Sequence, residues 1–202
     1  MNSRRQLLRA AALVPFAAAF ARHARASTEQ AATALVSKTV GQLLAIVNGS
    51  LPDAERRQRL TQLIDAAVDV PGVARFCLGR FWRIATPQQQ KEYVTLFHGV
   101  LLSSFAGKLG EYRGVSITIG DTTVRDDGVH VASVVNQPNN PPAHVDWVVD
   151  ISGPQPRIVD LIAEGTSMRL TQRSDYASFI TRHGNSVDAL ITAMREQLAQ
   201  QG

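Results

Sequence analysis

Apolar residues at Leu35, Val36, Val40, Leu43, Leu44 and Val47 recur at helical spacing, which predicts an amphipathic helix over residues 28–47, stopped by Asn48-Gly49-Ser50. A second helix starts at Ser50-Leu51-Pro52-Asp53 and carries Leu60, Leu63, Ile64 and Ala67 on one face. Asp69-Val70-Pro71-Gly72 reads as its break, followed by a short helix over residues 73–82. Thr86-Pro87-Gln88-Gln89 combines an N-cap, a proline at the first helical position and a capping-box glutamine. That predicts a long helix over residues 87–112, with Tyr93, Phe97, Val100, Leu101, Phe105 and Leu109 as its apolar stripe.

The period then changes from helical to alternating. Residues 115–120, 129–137, 143–152 and 157–164 read as strands, separated by Asp126-Asp127-Gly128, the stretch 138–142 and Ser152-Gly153-Pro154. In the third strand Val145, Trp147, Val149 and Ile151 alternate with His144, Asp146, Val148 and Asp150, as expected for a sheet covered on one side. Helices return over residues 171–182, closed by His183-Gly184, and after the cap Asn185-Ser186-Val187-Asp188, with Val187, Leu190, Ile191, Met194 and Leu198 on one face. The pattern is α+β: one antiparallel sheet of about four strands packed on N- and C-terminal helices.

The N-terminus stands apart from this pattern. Arg4, Arg5 and Arg9 precede an apolar run over residues 10–20, and Ala24-Arg25-Ala26 offers a cleavage site before Ser27. Residues 1–26 therefore read as a cleaved signal peptide and residues 27–202 as one domain. The apolar run is too short to span a membrane, and no second such run is expected downstream, so the mature chain is expected to be soluble. Ser3-Arg4-Arg5-Gln6-Leu7-Leu8-Arg9 resembles a twin-arginine export signal with leucine where phenylalanine is usual, so both that route and the general secretory route stand open. The leader holds five of the 21 basic residues and none of the 17 acidic ones, leaving 16 against 17. A near-neutral mature chain without a lysine-arginine run gives no reason to invoke nucleic acid. A lone cysteine, Cys77, cannot form an internal disulfide and reads as a buried small hydrophobe.

The chain carries no phosphate-cradling glycine loop, paired-cysteine metal spacing, His-Glu-x-x-His or nucleophile elbow, so no catalytic or metal residue is assigned and the protein is not expected to be an enzyme. His98, His130, His144 and His183 are scattered and read as surface or capping residues. Arg173, near the start of a helix, opposes the helix dipole and calls for a carboxylate, which Asp160 or Glu164 could supply. That group reads as an ion pair fixing the strand-to-helix turn or as a contact for a lipid head group.

Leu78-Gly79-Arg80-Phe81-Trp82, Thr86-Pro87-Gln88-Gln89 leading to Tyr93 and Phe97, then Phe105 and Tyr112-Arg113-Gly114 follow one another in a familiar order. Ile158-Val159-Asp160, Glu164-Gly165-Thr166-Ser167 and Arg173-Ser174-Asp175-Tyr176 continue it. Together they resemble the MlaC-like family, periplasmic auxiliary proteins of lipid-transporting ABC systems once grouped under toluene tolerance. Thr171-Gln172-Arg173-Ser174 makes the chain most similar to the hopanoid-associated HpnM branch, since phospholipid-trafficking members usually have a tyrosine before the arginine. The resemblance implies a periplasmic monomer without cofactor that carries a hopanoid or phospholipid between inner and outer membranes and docks to membrane-bound partners. It also implies an apolar cavity of the NTF2-like type between sheet and helices. On that fold the helical wall is expected to hold Phe81, Trp82, Phe97, Leu101, Phe105, Met168 and Phe179, and the sheet wall Val134, Val145, Trp147, Val149 and Ile162. The competing readings are a periplasmic adaptor or assembly factor whose sheet packs on its helices without a cavity, and, more remotely, an enzyme in a cone-shaped α+β fold.

Overall fold

The computed structural model describes residues 14–108 and 112–201, with the side chains of residues 26–107 and 112–200. The basic head Arg4, Arg5 and Arg9, and Leu109 of the long-helix stripe, lie outside the described residues.

Helix α1 (Val14–Asn48) runs on from the expected leader without a break, so it begins well before residue 28. Its segment Ala26–Asn48 is long and apolar enough to cross a membrane, a run that the reading of the sequence did not anticipate. Here Ala32, Val36, Val40, Ile46 and Val47 are instead buried inside the protein. Asn48 ends the helix and ties it to the first strand: its Oδ1 accepts from the Gly114 N–H at 2.9 Å and its Nδ2 donates to the Val115 carbonyl at 3.4 Å.

Helix α2 (Asp53–Ala67) buries the predicted face of Leu60, Leu63, Ile64 and Ala67. The predicted break is present, with Val68 extended after α2, but the next helix begins three residues earlier than expected. Asp69 caps α3 (Val70–Leu78) by accepting from the Gly72 N–H at 3.1 Å, with Pro71 in the first turn where its missing N–H costs nothing. A 3-10 segment follows (Gly79–Arg83). Before α4 (Pro87–Lys108) the predicted capping box is present in both directions: the Gln89 N–H donates to Thr86 Oγ1 at 3.2 Å and the Thr86 N–H to Gln89 Oε1 at 2.8 Å.

The sheet is an antiparallel meander in chain order: β1 (Ser116–Arg125), β2 (Gly128–Asn136), β3 (Ala143–Asp150), β4 (Arg157–Ala163) and β5 (Thr166–Ser167). It therefore has five strands, the fifth only two residues long. Ile151, expected on the third strand, lies beyond β3 and is exposed. Gly128 sits at φ 137°, where a Cβ would meet the Val149 carbonyl oxygen at 2.8 Å, so only glycine closes the β1–β2 turn against β3.

Register places Val129, Val131 and Ser133 opposite Val149, Trp147 and Val145 on one face, and His130, Ala132 and Val134 opposite Val148, Asp146 and His144 on the other. α1 covers the first face. The chain closes with α5 (Met168–Arg182) and α6 (Val187–Gln201). α5 starts three residues earlier than predicted because Ser167 serves as its N-cap, its Oγ accepting from the Leu170 N–H at 3.1 Å.

Candidate functional site

Two apolar bodies fill the fold. In the first, Ala32, Val36 and Val40 of α1 pack on Val129, Val131, Trp147, Val149 and Ile158 of the sheet. Trp147 could be buried only with its N–H satisfied, and it donates to Ser133 Oγ at 2.9 Å, whose hydroxyl donates on to the Val145 carbonyl at 2.9 Å. In the second, α2 to α6 enclose a ring triad of Tyr93, Phe97 and Tyr176, with centroids 6.0 to 6.4 Å apart. Tyr93 donates its hydroxyl to the Ala74 carbonyl at 3.0 Å, and burial pushes the phenols of Tyr93 and Tyr176 well up.

Leu43, Leu44 and Val68 pack against both bodies and form the junction between them. The helical body is least covered along the C-terminal half of α4. Val100, Leu101, Leu102 and Ala106 are only half-buried and Phe105 is exposed, whereas Tyr93 and Phe97 earlier on the same helix are buried. Val135 of β2 packs on this same body.

The residues assigned from sequence do not line one space. Phe81 and Phe97 are buried in the helical body, Trp82, Leu101 and Phe179 are half-buried against it, and Phe105 sits at its surface. Val145, Trp147 and Val149 belong to the sheet body, where α1 packs directly on the face expected to be a cavity wall. Val134 and Ile162 lie on the opposite face of the sheet, because register pairs them with His144 and Asp146. Met168, at the start of α5, is exposed.

The charged group also differs from expectation. Asp160 is buried and does bind an arginine, but the partner is Arg169, with Nε 3.4 Å from Asp160 Oδ2. The carboxylate also accepts from the Leu161 N–H at 2.8 Å, the Arg169 N–H at 3.0 Å and the Ser167 hydroxyl. Three hydrogen-bond donors and one ion pair on a single carboxylate fix the β4-to-α5 turn. Glu164 accepts from the His144 N–H. Arg173 pairs with neither, and its guanidinium lies over the Phe76 ring, 4.9 Å from the centroid. Arg169 and Ser167 carried no sequence signal beyond their place in the turn.

His130 is buried rather than superficial: Nε2 lies 2.9 Å from Asp127 Oδ1 and Nδ1 3.9 Å from Asp146 Oδ2. Desolvation works against the Asp127 charge, but the bond and the charge of His130 outweigh it, leaving that carboxyl below its ordinary value. His98 meets Asp65 at 2.8 Å, and His183 stacks on Phe179 at 4.1 Å. Burial pushes the Cys77 thiol up to about 12, and it donates weakly to the Arg169 carbonyl at 3.6 Å. Such a thiol is no nucleophile. Among the described residues no group of three or more His, Cys, Asp or Glu could hold a metal ion.

Two open grooves flank α5. One, of about 560 Å³, lies between the 3-10 segment and α5; the other, of about 500 Å³, lies between α5 and α6.

A family model described as MlaC protein matches residues 37–196. The toluene tolerance protein ttg2D of Pseudomonas putida is 24% identical over 144 residues, 70% of this chain, and the match spans 66% of that protein's length. A phospholipid-binding protein from Ralstonia solanacearum, solved in complex with a phospholipid, has a similar fold with a TM-score of 0.72 at 28% identity, over 84% of this chain and 98% of that one.

Proposed function

The chain belongs to the MlaC family, and we propose that it is a periplasmic carrier that encloses the acyl chains of a phospholipid and moves the lipid between the inner and outer membranes. The observation that carries this reading is the partly covered apolar flank of α4, half-buried Val100, Leu101 and Leu102 and exposed Phe105, on the body that meets the sheet body at Leu43, Leu44 and Val68. Lipid tails entering there would extend an apolar surface that the fold leaves partly open. The need for enclosure is large. Exposing acyl chains costs ~0.8 kcal/mol per methylene, so a diacyl lipid crossing water alone faces a barrier of roughly 20 kcal/mol.

The phospholipid bound by the similar Ralstonia solanacearum protein supports that cargo, whereas the Thr171-Gln172-Arg173-Ser174 run supports a hopanoid. Export by a cleaved leader is supported by the basic head, apolar run and Ala24-Arg25-Ala26 of residues 1–26, and the mature domain would begin at Ser27. Delivery would take place at membrane-bound partner complexes on either side. The tight α1–sheet contact favours a second reading, an adaptor without a cavity.

Organic extraction of protein purified from the periplasm, followed by mass spectrometry, tests the proposal. One lipid per protein is expected, its head group separating phospholipid from hopanoid, on a chain whose intact mass starts at Ser27. Protein that carries no lipid and takes none from phospholipid vesicles would be the adaptor.

A further inference from the structure

Arg173 is an exposed cation on α5, the sixth residue of that helix, past the first turn where the helix dipole acts most strongly. Among the described residues no carboxylate pairs with it, since Asp160 is taken by Arg169. Its guanidinium lies over the Phe76 ring, 4.9 Å from the centroid, and close to Gly79, where a Cβ would come within 3.1 Å of Arg173 Nε. Gly79 also has φ +59°, which favours glycine on its own account.

Two more guanidiniums share its groove. Arg80 lies over the Phe81 ring, 4.8 Å from the centroid, and gives one N–H to Thr181 Oγ1 at 3.2 Å. Arg182 lines the far end. As a cation in the last turn of α5 it answers the helix dipole, a reason for its presence that Arg173 lacks. The groove adds the hydroxyls of Ser178 and Thr181 and contains no carboxylate; Asp175 lines the other groove. Stacked guanidiniums keep their N–H forks free and oriented for a planar or tetrahedral oxyanion.

We infer that this groove binds a phosphate group, carried either by the head group of a phospholipid or by free phosphate. Three cations around one hollow repel each other until an anion neutralises them. A volume of about 560 Å³ admits a phosphodiester with its substituents, over a floor of Leu78, Phe81 and Ala177. The lipid source rests on the carrier reading, whereas the oxyanion site does not.

Calorimetric titration of folded wild-type protein with inorganic phosphate and with dihexanoyl phosphatidylglycerol below its micellar concentration decides the matter. Both Arg173→Gln and Arg80→Gln are expected to weaken phosphate-group binding about tenfold or more, as loss of a charge-assisted contact does. Arg173→Lys, which keeps the charge but not the fork, should recover part of it. Tighter binding of the phosphodiester identifies a head-group site, and equal binding identifies a free-phosphate site. Absence of binding by the wild type, or binding that both folded glutamine variants retain in full, overturns the inference. Should a variant unfold, arginine side-chain NMR shifts in the wild type replace it, and phosphate-induced shifts confined to other arginines overturn the site. Phosphate binding that depends on these arginines in a protein devoid of extractable lipid would sink the carrier and spare the groove. Extractable lipid in a protein whose phosphate binding is absent or independent of these arginines would do the reverse.

Discussion

The two apolar bodies are built differently. The α1–sheet body is made of small and β-branched residues, Ala32, Val36, Val129, Val131 and Val149, all fully buried, and its one large member has its N–H satisfied by Ser133. The helical body adds to its own valines, isoleucines and alanines the rings of Phe81, Tyr93, Phe97 and Tyr176 and the leucines Leu60, Leu78 and Leu190, and along α4 it grades from a fully buried Tyr93 to an exposed Phe105. β-Branched side chains with few rotamers interlock on a pleated surface and resist insertion, whereas leucine and phenylalanine on a partly covered helix can be rearranged around a guest. One body is a wall; the other has room to give.

The largest effect that would test this contrast is expected at Val149. It is fully buried between α1 and β3's neighbours, so Val149→Glu places an unpaired charge in close-packed core. The expected cost is ~3–5 kcal/mol, enough to unfold an ordinary domain, and loss of the far-ultraviolet circular dichroism signal checks it. A folded variant would mean that the wall opens. A smaller stability effect is expected at half-buried Leu101. Leu101→Glu should cost about 1–2 kcal/mol in a thermal melt, because the charge can turn to water, while co-purified lipid per folded molecule falls sharply. Retained lipid would move the guest away from α4.

The smallest effect is expected at the rim of the sheet, where exposed Asp127 meets buried His130. The Asp127 carboxyl is held below its ordinary value, so its contribution is complete above the unfolded-state value and disappears as the pH falls through the folded-state value. Urea titrations should therefore separate wild type from Asp127→Asn at pH 7 and bring the two together in strong acid. A gap of equal size under both conditions would show that the carboxylate charge is not what matters.

Local signals of helix starts and strand faces were legible in the sequence. The Thr86-Gln89 box and the Val145-Trp147-Val149 alternation both depend on near neighbours, and both are present in the fold. The segment Asp69-Val70-Pro71-Gly72 does separate two helices, but it also opens the second of them, because Asp69 turns its side chain back to the Gly72 N–H and Pro71 fits the first turn. The candidate site was less legible. Alternation identified the apolar face of β3 but not the helix that covers it, and α1 is more than a hundred residues away in sequence. Likewise Arg173 was read as calling for a carboxylate from Asp160 or Glu164, but Asp160 takes Arg169 instead, because a cap at Ser167 starts α5 earlier than the apolar pattern does. His130 looked superficial because a polar residue opposite an apolar face ordinarily meets water, and here it is buried locally, opposite the fully buried Val148 and beside Asp127.

Cys77 gives the molecule a built-in clock. Its sulfur is sealed between α3 and α5, almost wholly without solvent contact, and its thiol stays protonated across the whole range in which oxidants and alkylating reagents act on ordinary cysteines. Reagent can reach it only when the two helices part. The rate at which the thiol is consumed therefore counts how often that seam opens, not how reactive the sulfur is, and the seam is the same one on which Phe76 and Arg173 sit. A single atom thus reports the opening of the seam between α3 and α5.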